Sequence, residues 1–136
     1  MQEVWVFDVD GCLIDSLTGT SVRPGAVELL ANLRERGCGL LLWSAGGADY
    51  ARQRASEHGL AGFFDAFHDK KGRDAAGRYV TDALVADIGS VVFVDDRPED
   101  MPVGADVVAV APYLVDNRHD RGLAPVADRI AREPAP

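Results

Sequence analysis

The feature that most constrains this chain is a recurring unit: a short, uninterrupted apolar run that stops at a polar residue and gives way to a longer amphipathic stretch. Glu3 to Phe7 is rich in Val and aromatics and ends at Asp8. Gly39 to Trp43 stops at Ser44, and Val91 to Val94, the strongest run, stops at Asp95. Phe63 to Phe67 and Asp106 to Val110 supply two further strands. Val27, Leu29, Leu30 and Leu33 recur at helical spacing and predict a helix from Pro24 to about Arg36, stopped by Gly37. Ala48 to His58 predicts a second helix, closed by Gly59. Thr81 can cap a third through about Ile88, and a last one runs from about Pro125 to Arg132. Residues 12–23 read as polar and turn-like, and 69–77 and 112–122 as loops. Strands that lack polar alternation are buried on both faces, which calls for a parallel sheet with helices on either side. The expected fold class is α/β, a three-layer doubly wound parallel sheet of about five strands. No repeat, linker or low-complexity block interrupts residues 1–136, so a single domain is expected, with residues 132–136 a frayed tail.

Composition narrows the partners. With 47% apolar and 26% charged residues the chain has the balance of a globular protein rather than a disordered one. Fourteen basic against 22 acidic residues leave a formal charge of −8, which makes nucleic acid a poor partner, since non-specific binding there needs a basic surface. No run approaches the ~20 apolar residues of a membrane span, and no secretory signal opens the chain, so no membrane partner is expected. Cys12 and Cys38 form no CxxC pair and are read as reduced thiols, with a cytoplasmic location expected. His58, His68 and His119 are too scattered for a zinc cluster and read as surface or helix-end residues. Trp5 and Trp43 read as core anchors on adjacent strands.

In an open parallel sheet, ligands bind beyond the carboxyl ends of the strands. Those ends carry Asp8-Val9-Asp10-Gly11, Ser44-Ala45-Gly46-Gly47, Asp69-Lys70-Lys71 and Asp95-Asp96-Arg97-Pro98-Glu99-Asp100. If the first and fourth strands are neighbours, Asp8, Asp10, Asp95 and Asp96 converge. Two like charges 4 Å apart repel by about 4 kcal/mol at an effective dielectric near 20. Such a cluster must be protonated, solvated or bound to a cation, and an all-oxygen site with few protein ligands suits Mg²⁺. Gly46 and Gly47 either leave backbone N–H groups for a phosphate or simply permit a tight turn.

Phe7-Asp8-Val9-Asp10-Gly11-Cys12-Leu13 resembles the first motif of the haloacid dehalogenase (HAD) superfamily. Ser44 after Leu40-Leu41-Leu42-Trp43 is similar to the second, Lys70 or Lys71 to the third, and Asp95-Asp96 after Val91-Val92-Phe93-Val94 to the fourth. The resemblance runs from about residue 3 to 110 and implies a HAD-like Rossmannoid fold and a Mg²⁺-dependent phosphomonoester hydrolase. By that resemblance Asp8 is the nucleophile that forms an aspartyl-phosphate, and Asp10 is the acid and then the base. The metal ligands it implies are Asp8, the backbone carbonyl of Asp10 and Asp96, with Asp95 or Asp100 in support. Ser44 would bond a phosphoryl oxygen, with Ala45, Gly46 and Arg97 alongside for substrate. A lysine would offset charge, Lys71 being preferred slightly over Lys70.

The chain departs from the family pattern at Cys12, where many relatives carry Thr or Val, and at Gly72, where Pro is common. The lysines stand only 24 or 25 positions before Asp95. Only a flap of about residues 12–22 and one helix separate Asp10 from Ser44, and a helix and short strand separate Ser44 from Lys70, so neither gap holds a cap domain. A capless site is open, which in relatives suits large substrates such as phosphoproteins or polymer ends, or closure by another subunit; the expected partner is a phosphorylated substrate, either a small molecule or a phosphoprotein. The Asp95-Asp96-Arg97 run also resembles small capless phosphatases acting on protein phosphoserine. The competing readings are a metal-free dehalogenase, which the acidic fourth motif opposes, a receiver-like phospho-acceptor, and a catalytically silent HAD-like binding module.

Overall fold

The computed structural model describes residues 3–70, 72–79 and 91–133. Five strands form one parallel sheet: β1 (Val4–Asp8), β2 (Gly39–Ser44), β3 (Ala66–Asp69), β4 (Val91–Asp95) and β5 (Asp106–Ala109), in the order β3-β2-β1-β4-β5. The chain winds outward from β1 to β3, then resumes at β4 on the other side of β1, so the direction of winding reverses between β1 and β4. The fold is therefore the expected doubly wound α/β sheet, and its switch point opens a crevice at the carboxyl ends of β1 and β4.

Strand parity decides which side chains meet the helices. Trp5 and Phe7 of β1, Leu40 and Leu42 of β2, and Val92 and Val94 of β4 face α1 (Ala26–Glu35), α2 (Ala48–Glu57) and α3 (Ala124–Arg132). Leu29, Leu30 and Leu33 supply the apolar stripe of α1, Ala51 and Ala55 that of α2, and Val126 and Ile130 that of α3. Val6, Trp43 and Phe93 face the other way and pack with Met101 and the half-buried Tyr79. Trp5 and Trp43 are both fully buried on neighbouring strands, yet on opposite faces, because Trp5 pairs with Leu40 and Trp43 with Asp8. Each such side chain removed from water contributes roughly 2–3 kcal/mol. The helix expected over 81–88 lies outside the described residues. Among those described, no helix is long and apolar enough to cross a membrane.

Two segments differ from the sequence reading. The strand expected over 63–67 begins later: Ala61–Phe63 is a 3-10 turn and β3 starts at Ala66. Phe64 turns into the core, edge-on to Phe7, and Asp65 closes the start of β2 by donating its N–H to Leu40 O and accepting Leu40 N–H at 2.9 Å. Pairing then begins with Leu41 opposite Ala66. The flap, expected to be polar, buries Cys12, Leu13 and Ile14. Its polar half winds around the fully buried carboxylate of Asp15, and Arg23, also buried, follows it.

Candidate active site

β1 carries Asp8 to the switch point, and the turn after it carries Asp10 past Gly11. Gly11 has φ +79°, and a Cβ there would sit 2.9 Å from Asp96 Oδ2, so a side chain at 11 would collide with the carboxylate that β4 delivers. β3 ends beside β2, where the Lys70 N–H donates to Ser44 O at 2.9 Å and fixes the start of the next loop. The Lys70 ammonium then reaches across the strand ends, 2.9 Å from Asp8 Oδ1 and 3.1 Å from Asp95 Oδ2. It lies over the rings of Trp43 and Tyr79, at 5.3 and 5.2 Å from their centroids. Asp95 Oδ1 accepts the Arg97 N–H at 2.9 Å.

Burial pushes the Asp8 carboxyl up from its ordinary value, the Asp95 charge adds to this, and Lys70 opposes it. Asp95 is raised for the same first reason, with Lys70 again opposing. For Lys70 burial works downward but is outweighed by Asp8 and Asp95, so the ammonium is held charged. Asp8, Asp95 and Asp96 each offer an oxygen, all within 4.8 Å of one another. Among the described residues one ammonium stands among three carboxylates, which leaves an excess of negative charge, and Asp96 accepts no hydrogen bond from them. An all-oxygen set whose charge is uncompensated among the described residues fits a small divalent cation.

The cleft above these groups has a volume of about 650 Å³, with Asp8, Asp10, Lys70, Asp95, Asp96 and Arg97 in its wall. Asp10 is half-buried and its Oδ2 accepts the Tyr50 hydroxyl at 2.8 Å. Ser44 is buried at the end of β2, its Oγ accepting the Gly46 N–H at 3.0 Å; Ala45 and Gly46 are exposed beside it. Arg97 is exposed at the rim, and Asp100 pairs with Arg73 at 3.1 Å. Lys71 lies outside the described residues. Tyr50 and Tyr79 escape sequence reasoning because no motif marks them; their position after β2 and β3, on the side of the strand ends, is the one signal that points to them. A larger groove of about 870 Å³ lies between α1 and α3 and shares no lining residue with this cleft.

Acidic groups from β1 and β4 and a lysine from the end of β3 thus gather at the switch point of a parallel sheet, the arrangement that the HAD-like resemblance calls for. Residues 4–132 match the NLI interacting factor-like phosphatase family, and the chain belongs to it. The fold is similar to the NMR structure of the core domain of "a putative phosphoglycolate phosphatase" from Streptococcus pneumoniae TIGR4, with a TM-score of 0.61 and 15% identity over 98% of each chain. It is equally similar to the crystal structure of an uncharacterized protein from Listeria monocytogenes serotype 4b, with a TM-score of 0.61 and 15% identity over 87% of this chain and 85% of that one. In sequence, 63 residues are 38% identical to an uncharacterized 38.0 kDa protein in the P143-LEF5 intergenic region of Autographa californica nuclear polyhedrosis virus. That match covers 46% of this chain and 20% of the viral protein.

Proposed function

We propose that the chain is a Mg²⁺-dependent phosphomonoester hydrolase that works through an aspartyl-phosphate on Asp8. The observation that carries this reading is the meeting of Asp8, Asp95 and Asp96 around one point, with Lys70 bridging Asp8 and Asp95. An Asp8 oxygen attacks phosphorus while the ester P–O bond breaks, and the Asp10 carboxyl passes its proton to the departing oxygen. Asp10 then takes a proton from a water whose oxygen attacks the phosphorus, and the bond to Asp8 breaks. Lys70 holds Asp8 in place and offsets the negative charge that gathers on the phosphoryl oxygens. Ser44, with the backbone at Ala45 and Gly46, bonds those oxygens, and Arg97 reaches the rest of the substrate from the rim. Asp8, Asp96 and the Asp10 carbonyl, with Asp95 behind them, would hold Mg²⁺, which when bound neutralises the phosphoryl group. The open cleft with no inserted cap favours a substrate in which the phosphate is carried on something large, such as a protein chain.

The test is release of p-nitrophenol from p-nitrophenyl phosphate. Hydrolysis is expected with Mg²⁺, none after EDTA, and a fall of about 10³-fold or more in Asp8→Asn. Full activity in Asp8→Asn, or hydrolysis indifferent to EDTA, would overturn the proposal. A panel of sugar phosphates, nucleotides and phosphopeptides then sorts the substrate class, the phosphopeptides being expected to give the highest kcat/KM.

A further inference from the structure

We propose that Tyr50 is a positioning residue that holds the Asp10 carboxyl so that one defined oxygen faces the leaving group. The inference rests on the reading of Asp10 as acid and base. Tyr50 stands in the first turn of α2, six positions after Ser44, and its hydroxyl donates to Asp10 Oδ2 at 2.8 Å. Among the described residues no other side chain hydrogen-bonds that carboxylate. Arg54, one turn further along α2, donates its Nε–H to the Tyr50 oxygen at 3.3 Å, and its guanidinium lies over the Tyr50 ring at 5.5 Å. With a lone pair of the phenol engaged by Arg54, its proton is directed at Asp10.

The ring is seated from the other side as well. A Cβ at residue 46 would stand 3.0 Å from the ring, so the glycine there lets the turn after β2 close onto Tyr50. The same tyrosine thus touches the turn that would bind phosphate and the carboxyl that would move protons. Arg54 Nη1 and His58 Nε2 also meet the Gly19 carbonyl, at 3.4 and 2.8 Å, which anchors α2 to the flap that follows Asp10.

The chemistry follows from which oxygen is taken. Tyr50 occupies Oδ2, which leaves Oδ1 to carry the exchanged proton in both half-reactions. In the first, the Oδ1 proton goes to the ester oxygen as the Asp8–phosphorus bond forms and the ester bond breaks. In the second, Oδ1 takes a proton from water as the water–phosphorus bond forms and the Asp8–phosphorus bond breaks. A carboxyl free to rotate would present either oxygen at any angle, and holding one in line is the part of general acid catalysis that geometry supplies.

The experiment compares kcat/KM for phenyl phosphate, whose leaving group needs a proton, and p-nitrophenyl phosphate, whose leaving group needs one far less. Tyr50→Phe removes one hydroxyl and keeps the ring against Gly46, so its melting temperature is expected to match the parent's. Its kcat/KM should fall about tenfold for phenyl phosphate and no more than about threefold for p-nitrophenyl phosphate. Asp10→Asn, run alongside, should widen the gap between the substrates further. A gap unchanged in Tyr50→Phe but widened in Asp10→Asn overturns the role of Tyr50 alone. A gap unchanged in Asp10→Asn, or a parent protein that hydrolyses neither ester, overturns the reading of Asp10 and the inference with it.

Discussion

Asp15 is fully buried, and its two oxygens accept hydrogen bonds from the backbone N–H groups of Thr18, Gly19, Thr20 and Ser21 and from the hydroxyls of Thr18 and Ser21. Burial alone would raise its pKa, but the bonds from Thr18 and Ser21 outweigh it and hold the carboxyl below its ordinary value. Asp120 is depressed in the same way, its burial outweighed by the Arg23 guanidinium. An unfolded chain binds these protons near pH 4 while the native one does not, so their stabilisation is complete above about pH 4 and lost as pH falls further. Urea midpoints should therefore drop between pH 4 and pH 3. Asp15→Asn replaces one accepting oxygen by an NH2 group whose donors face donors, and should cost about 3 kcal/mol at pH 7, or roughly 10 °C in melting temperature. It should also flatten the acid slope; an unaltered midpoint at pH 7 would count against the account. Nothing in the sequence separates Asp15 from the other acidic residues, because its role is set by a turn that folds back on it. Asp8 and Asp96 were easier to find, each standing at or just past the end of an apolar run. The two lysines were not separable, since adjacent lysines offer the same chemistry in sequence; Lys70 reaches Asp8 and Asp95 from the end of β3.

The flap and the segment of residues 112–122 are irregular elements that hold one another. Ser16 and Leu17 donate their N–H groups to Tyr113 O and Leu114 O at 3.1 and 2.9 Å, and the Ser21 and Tyr113 hydroxyls lie 3.1 Å apart. Arg23, its side chain wholly buried, closes the pair: Nε and Nη2 donate to the two Asp120 oxygens at 2.7 and 3.3 Å, and Nη1 to Cys12 O at 3.3 Å. Removing one partner of a buried pair leaves the other uncompensated, so Arg23→Met should destabilise by about 3 kcal/mol. Adding Asp120→Asn to it should recover part of that loss in a denaturation cycle; strict additivity would show that the two do not interact in the folded state. Regular elements were the more legible ones. α1, α2 and β4 follow from spacing and stop signals, whereas β3 was displaced because an aromatic pair, Phe63-Phe64, looks like strand to a periodicity argument and serves as a core plug.

For the molecule as a whole, sheet order is what turns a sequence of net charge −8 into a site. The parallel sheet and its five strands could be read from uninterrupted apolar runs, whereas the neighbouring of β1 and β4 was only a condition for the acidic stretches to converge, and the strand order supplies it. Which face each tryptophan occupies needed the register, which no single strand reveals. Gathering three carboxylates is unfavourable without a counter-ion, so a divalent cation should stabilise the fold. Mg²⁺ at a hundred times its dissociation constant would add about 2.7 kcal/mol, several degrees in a thermal melt. Asp96→Asn should lose most of that shift, and NaCl at matched ionic strength should not reproduce it; equal shifts with either salt would refute a specific site. The reversal between β1 and β4 also has a consequence for folding. Asp8, the proposed nucleophile, is synthesised before the acidic residues that β4 delivers, so on that reading a nascent or clipped chain that stops short of β4 is expected not to handle phosphate. On the same reading, phosphate hydrolysis should reappear during refolding only when the central strands zip together, which would make activity a reporter of the fold's own completion.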